Sequence, residues 1–226
     1  MGYPMPSPFF GENSPKWLDM SNYVAHFTKD YEGNNAYTNM LSILGNRIIR
    51  ACNPFGIIRD KAPDPSSQKA VCFSETPLHL LGRLADKRSE YGIVFRKDIV
   101  IHRKGNPILY AYKDQPLTIA IKKLIVAAGS DVANPIWEVT PFIDAPGAYP
   151  NGSYFFEWER EWRKVGDFNF TTDDVAFLII PENLHKVAKD FFKNAHDENL
   201  GPAYDCPFID AHWNRKKIKL LLPKES

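Results

Sequence analysis

Short strand-like runs and helical segments follow one another irregularly along this sequence, and that irregular order constrains the fold most. The runs KAVCFSE, YGIVF and DVAFLIIPEN are rich in β-branched and aromatic residues, as buried strands are. Apolar residues recur at helical spacing in AYTNMLSILGNRIIRA, LHLLGRLADKRSE, PLTIAIKKLIVAAGS and LHKVAKDFFKNAHDEN. A regular alternation of strand and helix, which a doubly wound parallel sheet requires, is missing. We therefore predict an α+β protein.

Three further local predictions follow from the same patterns. The segment KDIVIHRKGNPILYAY predicts two extended segments around a Gly105-Asn106-Pro107 turn, and KIKLLLP predicts a final edge strand. In the helix LHKVAKDFFKNAHDEN, the apolar face is predicted to consist of Leu184, Val187, Ala188 and Phe191.

The stretch FFEWEREWRKVGDF, residues 155–168, carries an unusual set of charges. Glu157, Glu159 and Glu161 occupy alternate positions, with Trp158 and Trp162 between them. In one extended strand, this spacing predicts three carboxylates on one face and both tryptophans on the other. Adjacent carboxylates repel, so a fold tolerates them mainly where a cation or a reacting group lies opposite. A surface edge strand paired with basic neighbours explains the pattern equally well.

Composition narrows the class of protein. With 226 residues, 44% of them hydrophobic, the chain can bury a substantial core. No apolar run reaches the length of about 18 residues that a membrane span needs, and the first residues do not resemble a signal peptide, so we expect a cytoplasmic protein with no membrane association. The net charge of +1 indicates no global attraction to nucleic acid. The basic cluster RKKIK, residues 215–219, could contact phosphate, although a solvated tail explains it better.

Three widely spaced cysteines, Cys52, Cys72 and Cys206, fit neither a disulfide framework nor a metal knuckle, so we expect reduced, buried thiols. Residues 1–20 carry four prolines without periodicity and predict an arm laid over the protein. No linker divides the rest of the chain, so residues 21–226 are predicted to form a single domain.

Familiar dinucleotide, P-loop, zincin and hydrolase motifs are absent from the sequence. Short polar groups remain inside otherwise apolar strands: His26 with Thr28, and Ser74 with Glu75. Each has a structural explanation, since His26 could bond a backbone carbonyl and the Ser74-Glu75 pair could cap the following helix. Together with the glutamates, they form a candidate site.

Several of these segments resemble a known family. The order of VCFSETP, YGIVF, GNPILY, WEREWRKVGDF and DVAFLIIP is similar to the AbiGi family of bacterial abortive-infection proteins, from about Tyr23 to Pro181. More distantly, the order resembles the ADP-ribosyltransferase fold of poly(ADP-ribose) polymerases and DarT-type toxins. The matching elements are His26-Phe27-Thr28, Ile43-Leu44, Cys72-Phe73-Ser74, Ser89 with Tyr91, and Glu161.

The second resemblance implies a mixed, mainly antiparallel split β-sheet with flanking helices, and NAD as a substrate. It implies that Glu161 stabilises the oxocarbenium-like centre formed when the nicotinamide ribose bond breaks, and that Glu159 positions or deprotonates the acceptor. The residues implied to bind NAD, through hydrogen bonds or by stacking on nicotinamide, are His26, Thr28, Phe73, Ser74 and Tyr91. For Arg160 and Arg163, pairing with acidic neighbours and binding the cofactor pyrophosphate both remain open.

Three functions fit the sequence. The first is an NAD-dependent mono-ADP-ribosyltransferase, acting on protein or nucleic acid as a toxin or anti-phage effector that a cognate antitoxin could accompany. The second is a catalytically inactive regulatory or antitoxin partner of the same fold in a two-component defence system, with a cognate partner. The third is a metal-dependent nuclease or a glycoside-type hydrolase. Clustering of the carboxylates on one predicted strand disfavours a metal site, because such sites draw ligands from several elements.

Overall fold

A computed structural model describes residues 21–222 of the chain. The described strands, in chain order, are β1 (Tyr23–Phe27), β2 (Ile48–Ile49), β3 (Ala70–Ser74), β4 (Gly92–Arg96), β5 (Asn106–Pro107), β6 (Leu109–Tyr110), β7 (Ile143–Asp144), β8 (Gly147–Tyr149), β9 (Gly152–Tyr154), β10 (Glu161–Val165), β11 (Phe168–Asn169), β12 (Val175–Ile179) and β13 (Phe208–Ile209). The helices are α1 (Ala36–Asn46), α2 (Leu81–Lys87), α3 (Lys97–His102), α4 (Pro116–Ala128), α5 (Ile136–Val139), α6 (His185–Asp197) and α7 (Arg215–Leu221). The predicted arm, residues 1–20, lies outside the described residues.

The described residues divide into two compact units, and each unit is discontinuous in sequence. The first unit contains residues 21–48, 74–99 and 169–222, and the second contains residues 49–73 and 100–168. Both combine helices with mainly antiparallel strand pairs, so the predicted α+β class is confirmed. That residues 21–226 form a single domain stays a prediction.

In the first unit, strands lie in the order β13-β12-β4-β1. The pairs β1–β4 and β4–β12 are antiparallel, whereas β12–β13 is parallel. Ser74, the last residue of β3, pairs with Ala25 of β1. One face of these strands is covered by α2 and α7 through a cluster of buried side chains that includes Leu81, Phe177 and Ile218. Burial of these apolar side chains stabilises the folded state of this unit.

In the second unit, strands lie in the order β3-β10-β5, with the pairs β6–β7 and β8–β9 beside them in the sequence. Its core contains Ile121 and Ile125 of α4 with Trp137 and Ile143. The helix α4 begins with Pro116, which the first helical turn tolerates because its missing N–H has no intrahelical partner there. It ends before Gly129. Its buried residues Thr118, Ile121, Ile125 and Ala128 all lie on one side.

The loop after β2 depends on a glycine. Gly56 has φ +92°, and a Cβ atom there would lie 2.0 Å from the backbone oxygen of Thr140. Only glycine fits this close approach, because any side chain would overlap the neighbouring backbone.

Four local predictions are wrong. Residues Glu157–Glu159 form a 3₁₀ turn, and the strand β10 begins only at Glu161. The segment after β4 forms the helix α3 instead of a strand. The segment expected as an edge strand is the helix α7, whose first turn is capped by Asn214 through the N–H of Lys217. Cys52, expected to be buried, is exposed.

The apolar face predicted for α6 also differs. The helix buries Ala188 and Phe192, whereas Val187 is 64% exposed and Phe191 is 47% exposed. Both sets have helical spacing, so the sequence pattern alone does not distinguish them. The structure selects Phe192 because its ring packs edge-to-face on Tyr204 and Phe208 in the first unit.

Candidate functional site

An arginine lies at the centre of a buried polar cluster in the second unit. Arg163 is 1% exposed. Its Nε lies 2.8 Å from Oε1 of Glu161, its Nη2 lies 3.2 Å from Oε2 of the same carboxylate, and Nη2 also donates to Asp144. Its Nη1 donates to the backbone oxygen of Pro141 at 2.6 Å, and the guanidinium lies 4.8 Å from the ring centre of Phe55. The guanidinium is therefore satisfied by two carboxylates, a carbonyl and an aromatic face.

The spacing of Glu161 and Arg163 on β10 brings their side chains together. Glu161 and Arg163 are two residues apart on a strand, so their side chains lie on the same face. Burial alone would lower the pKa of the Arg163 guanidinium, but the charges of Glu161 and Asp144 raise it above its ordinary value. The arginine thus remains cationic while buried. Two roles were left open for Arg163, and in the structure it pairs with acidic neighbours.

Two tyrosines and a cysteine complete the cluster. The phenol oxygen of Tyr110 accepts the N–H of Glu161 at 3.0 Å, and the hydroxyl of Tyr154 donates to Asp144 at 2.9 Å. Burial raises the pKa of Tyr110 to about 12, with the charge of Glu161 adding to the effect. Burial and the charge of Glu161 also raise the pKa of the Cys72 thiol well above its usual value. At neutral pH these groups are protonated, so Cys72 is a poor nucleophile.

The other two glutamates do not continue the strand. Glu159 ends the 3₁₀ turn, and Arg160 follows with φ +46°, a left-handed conformation. Since a 3₁₀ turn repeats about every three residues, the two-residue alternation of the glutamates is lost. Glu159 is buried and belongs to the second unit, where its charge also raises the pKa of Tyr110. The structure therefore groups Glu159 and Glu161 around one phenol without aligning them in a ladder.

The remaining predicted site residue of the second unit is Phe73. It is almost fully buried, and its ring packs edge-to-face on Phe168 at a centroid distance of 5.1 Å. This contact makes the ring part of the core of its unit.

In the first unit, the structure brings Thr28 and Tyr91 together. The N–H of Thr28 donates to the backbone oxygen of Tyr91 at 3.1 Å, and its hydroxyl donates to the backbone oxygen of Ala36 at 2.8 Å. Ser89 donates to the backbone oxygen of Thr28 at 2.6 Å. The ring of Tyr91 lies 5.2 Å from the ring of Tyr37. These bonds join the end of β1 to the start of β4.

His26 and Ser74 also belong to the first unit. His26 is half-buried on β1 opposite Ile93 of β4, and Ser74 is buried opposite Ala25. The 3₁₀ turn that begins at Leu78 has no side-chain cap, so neither Ser74 nor Glu75 caps it. Roles for His26, Thr28, Phe73, Ser74 and Tyr91 in binding NAD stay predictions.

Among residues 21–222, no group of histidine, cysteine, aspartate and glutamate side chains is arranged to hold a metal ion. Within the same residues, no helix is both long and apolar enough to cross a membrane.

The helix α4 also carries exposed apolar side chains. Four large apolar side chains on this helix are exposed: Leu117, Ile119, Leu124 at 59% and Val126 at 78%. Leu117 and Leu124 lie about 160° around the helix from Ile119 and Val126, so the four side chains do not form one contiguous apolar surface. Exposed apolar residues that are scattered in this way are common on proteins. The pattern was visible in the sequence as a helix that is apolar nearly all round, which is typical of a helix covered on two sides.

The fold and these two features define a mixed α+β protein with an internally paired arginine cluster and an exposed apolar helix. A family described as "Putative abortive phage resistance protein AbiGi, antitoxin" matches residues 57–208, about two thirds of the chain. This chain belongs to the AbiGi family. Comparison with curated proteins found no match, and neither did comparison with solved structures.

The family match confirms one prediction from the sequence and corrects another. The AbiGi resemblance is confirmed, and with it the assignment to abortive infection. The prediction that the chain is an NAD-dependent ADP-ribosyltransferase acting as a toxin is wrong, because the family is described as an antitoxin. That description agrees with the second function considered above, a regulatory or antitoxin partner. Sequence reasoning missed the residues around this pair. Asp144 and Phe55 contact Arg163, and Tyr110 contacts Glu161, each from a distant part of the sequence, while Tyr154 donates to Asp144.

Proposed function

We propose that this protein is an antitoxin, a non-catalytic partner that binds and neutralises a cognate toxin in an abortive phage resistance system. The observation that carries this proposal is the family match over residues 57–208, whose description names an antitoxin. Neutralisation by binding requires a surface that recognises the toxin, and requires no chemistry in the antitoxin itself.

The environment of Glu161 supports a structural role for the carboxylate that the sequence suggested as catalytic. Both of its oxygens contact the guanidinium of Arg163, which is itself buried. A carboxylate that stabilises a developing positive charge must direct its own negative charge at the substrate. Here that charge is directed at an arginine, and separating the two would leave a buried cation with only one of its two carboxylate partners.

We further propose that the fold is a variant of the ADP-ribosyltransferase fold that serves binding. Support comes from the order of the strands that carry the matching motifs. His26 lies on β1, Ser74 ends β3, and Glu161 begins β10, so each motif occupies a strand and the strands follow the order of that fold.

The test uses growth and ligand binding. Expression of this chain alone should leave bacterial growth unchanged, and its co-expression should restore growth to cells that express the cognate toxin. NAD at millimolar concentration should not raise the melting temperature, because a protein without a formed NAD site gains no stabilisation from the ligand.

Two results would overturn the proposal. One is growth arrest by this chain alone that Glu161→Gln abolishes. The other is release of nicotinamide from NAD by the purified protein, with a melting temperature that rises with NAD concentration.

A further inference from the structure

The basic segment RKKIK, residues 215–219, belongs to a helix that packs on the core of the first unit. Ile218 of α7 is buried in the hydrophobic cluster of that unit. Asn214 caps the first turn through the N–H of Lys217, and Nζ of Lys217 lies 2.9 Å from Oε1 of Glu182. The basic side chains are therefore carried by a folded element, and a solvated tail no longer explains them.

Three cations lie together on the outer side of α7. Arg215 and Lys219 are four residues apart, and Lys216 and Lys219 are three apart, so the three side chains are neighbours on one surface of the helix. Leu220 extends this surface, because it follows Lys216 by four residues. These four side chains line a surface cavity of about 460 Å³, a size that is typical of small-molecule sites. We call the four side chains the α7 site.

The α7 site carries positive charge. The helix sequence RKKIKLL contains no acidic residue, and Lys217 points to a different side, where it pairs with Glu182. The charge of Arg215 also reaches its surroundings, because α7 packs beside the 3₁₀ turn Leu78–Leu80. Partial burial lowers the pKa of His79 in that turn, and the charge of Arg215 lowers it further. A concave surface lined by one sign of charge attracts ions of the opposite sign, here anions.

The spacing of the cations indicates which anion fits. Residues three and four apart on a helix have Cβ atoms about 5–6 Å apart, so their side chains can contact adjacent phosphate groups of one chain. Arginine and lysine form charge-assisted hydrogen bonds with phosphate oxygens. Leu220 gives the same cavity an apolar wall, against which a base or a sugar can pack. The net charge of +1 disfavours a long nucleic acid, which needs many phosphate contacts.

We propose that the α7 site binds a nucleoside triphosphate, with Arg215, Lys216 and Lys219 contacting the phosphate chain. Leu220 then packs against the nucleoside. This inference goes beyond the proposed antitoxin function and does not depend on it. NAD is a poor ligand for such a site, because both of its phosphates are linked to sugars and its nicotinamide ring carries a positive charge that the cations repel.

Titration calorimetry of the full chain with ATP tests the proposal. Lys216→Glu reverses one charge of the α7 site, and Lys193→Glu makes the same change at an exposed position of α6. Both variants should keep the wild-type melting temperature, because surface substitutions away from packed groups have small effects. We expect Lys216→Glu to weaken ATP binding about tenfold or more, since it replaces an attraction by a repulsion, while Lys193→Glu binds as wild type does. Binding should also weaken as salt is added, because salt screens exposed charges.

The titration of His79 reports where ATP binds. Phosphates held at Arg215 oppose the positive charge that lowers the pKa of this imidazole, so ATP should raise the pKa of His79 in an NMR titration. An unchanged pKa of His79 in the ATP complex would place the ligand elsewhere and overturn the inference.

Two further ligands test the chemistry of the site. Leu220→Asn should weaken binding of ATP but not of inorganic tripolyphosphate, which has no nucleoside to pack on the leucine. Equal effects on both ligands would overturn the assignment of Leu220 to the nucleoside. A DNA duplex that binds more tightly than ATP, and that Lys216→Glu releases, would assign the site to nucleic acid and overturn the inference. Failure of the wild-type chain to bind ATP would also overturn it, whereas the antitoxin function fails only if growth rescue fails.

Discussion

Arg163 contacts both carboxylate oxygens of Glu161, two residues earlier on the same strand, at 2.8 Å and 3.2 Å. Arg163 is buried and Glu161 is partly buried, and the buried Asp144 adds a second carboxylate to the same guanidinium. Burying charges is costly unless each is paired, so removing the arginine from this cluster is unfavourable.

Replacing Arg163 by methionine should be strongly destabilising. The substitution leaves the buried carboxylate of Asp144 and the partly buried carboxylate of Glu161 beside each other without a cation, which costs about 3–5 kcal/mol of unfolding free energy. Urea denaturation at pH 7 measures this loss. The matched control is Arg50→Met, because Arg50 pairs with Asp167 at 2.7 Å but its side chain is 68% exposed. Its loss should cost less than about 1 kcal/mol. Equal effects of the two substitutions would contradict the structural role of Arg163.

The variant Glu161→Gln tests whether the role of this carboxylate is structural or functional. Glutamine keeps the shape and one acceptor but loses the charge, so we expect a loss of about 1–3 kcal/mol in unfolding free energy. Neutralisation of the toxin, measured as growth rescue at 25 °C, should be unchanged because binding does not need this carboxylate. Loss of rescue by a variant that circular dichroism finds fully folded would contradict this expectation.

Alkaline pH should destabilise the protein through Tyr110. Its pKa is raised from 10.0 to about 12 in the folded state, so its favourable contribution is fully present below pH 10 and is lost as the pH rises toward 12. Between pH 10 and pH 11, this one phenol should reduce the unfolding free energy by about 1 kcal/mol. Urea denaturation at both pH values gives the slope. The slope should be shallower for Tyr110→Phe, and an identical slope would exclude this tyrosine as its source.

The two adjacent phenylalanines of α6, Phe191 and Phe192, test which face of this helix is buried. Phe192 is 6% exposed and Phe191 is 47% exposed. Phe192→Ala should cost about 3–5 kcal/mol because it leaves a cavity in the core, whereas Phe191→Ala should cost well under half of that. Urea midpoints of the two variants would contradict the observed face if Phe191→Ala proved the more harmful.

Two glycines with similar backbone conformations isolate the effect of a close contact. Gly56 has φ +92° and Gly33 has φ +83°, but a Cβ atom at Gly33 would meet nothing within 4 Å. Gly33→Ala should cost about 1 kcal/mol through its left-handed conformation alone. Gly56→Ala should cost several times more, because the new methyl group overlaps the backbone of Thr140. Thermal melting of both variants would reveal the difference, and similar melting temperatures would argue against the close contact.

How far the sequence predicted this structure depends on how local each feature is. The strands β3, β4 and β12 and the helices α1, α4 and α6 follow from runs and spacings within a few residues. The segment after Asn214 was ambiguous, because a short apolar run fits a strand and a helix equally well. Phe191 and Phe192 differ only in what the rest of the first unit places against them.

The candidate site shows the same division. The proximity of Glu161 and Arg163 follows from their spacing on a strand, once the strand is known to begin at Glu161. Asp144 and Pro141 approach Arg163 from about 20 residues away, and no local pattern indicates such contacts. The prediction of three glutamates on one face of a strand is wrong because Glu157–Glu159 form a 3₁₀ turn. Only an extended chain places alternate side chains on the same face.

The discontinuity of the two units has a consequence for synthesis on the ribosome. All residues of the second unit have been translated once Phe168 has been added, so this unit can close around Arg163 early. The first unit still lacks β12, the neighbour of β4, until translation has passed residue 179. If the mRNA is truncated, or the ribosome stalls, between the codons for Phe168 and Ile179, only the second unit can be complete in the resulting chain.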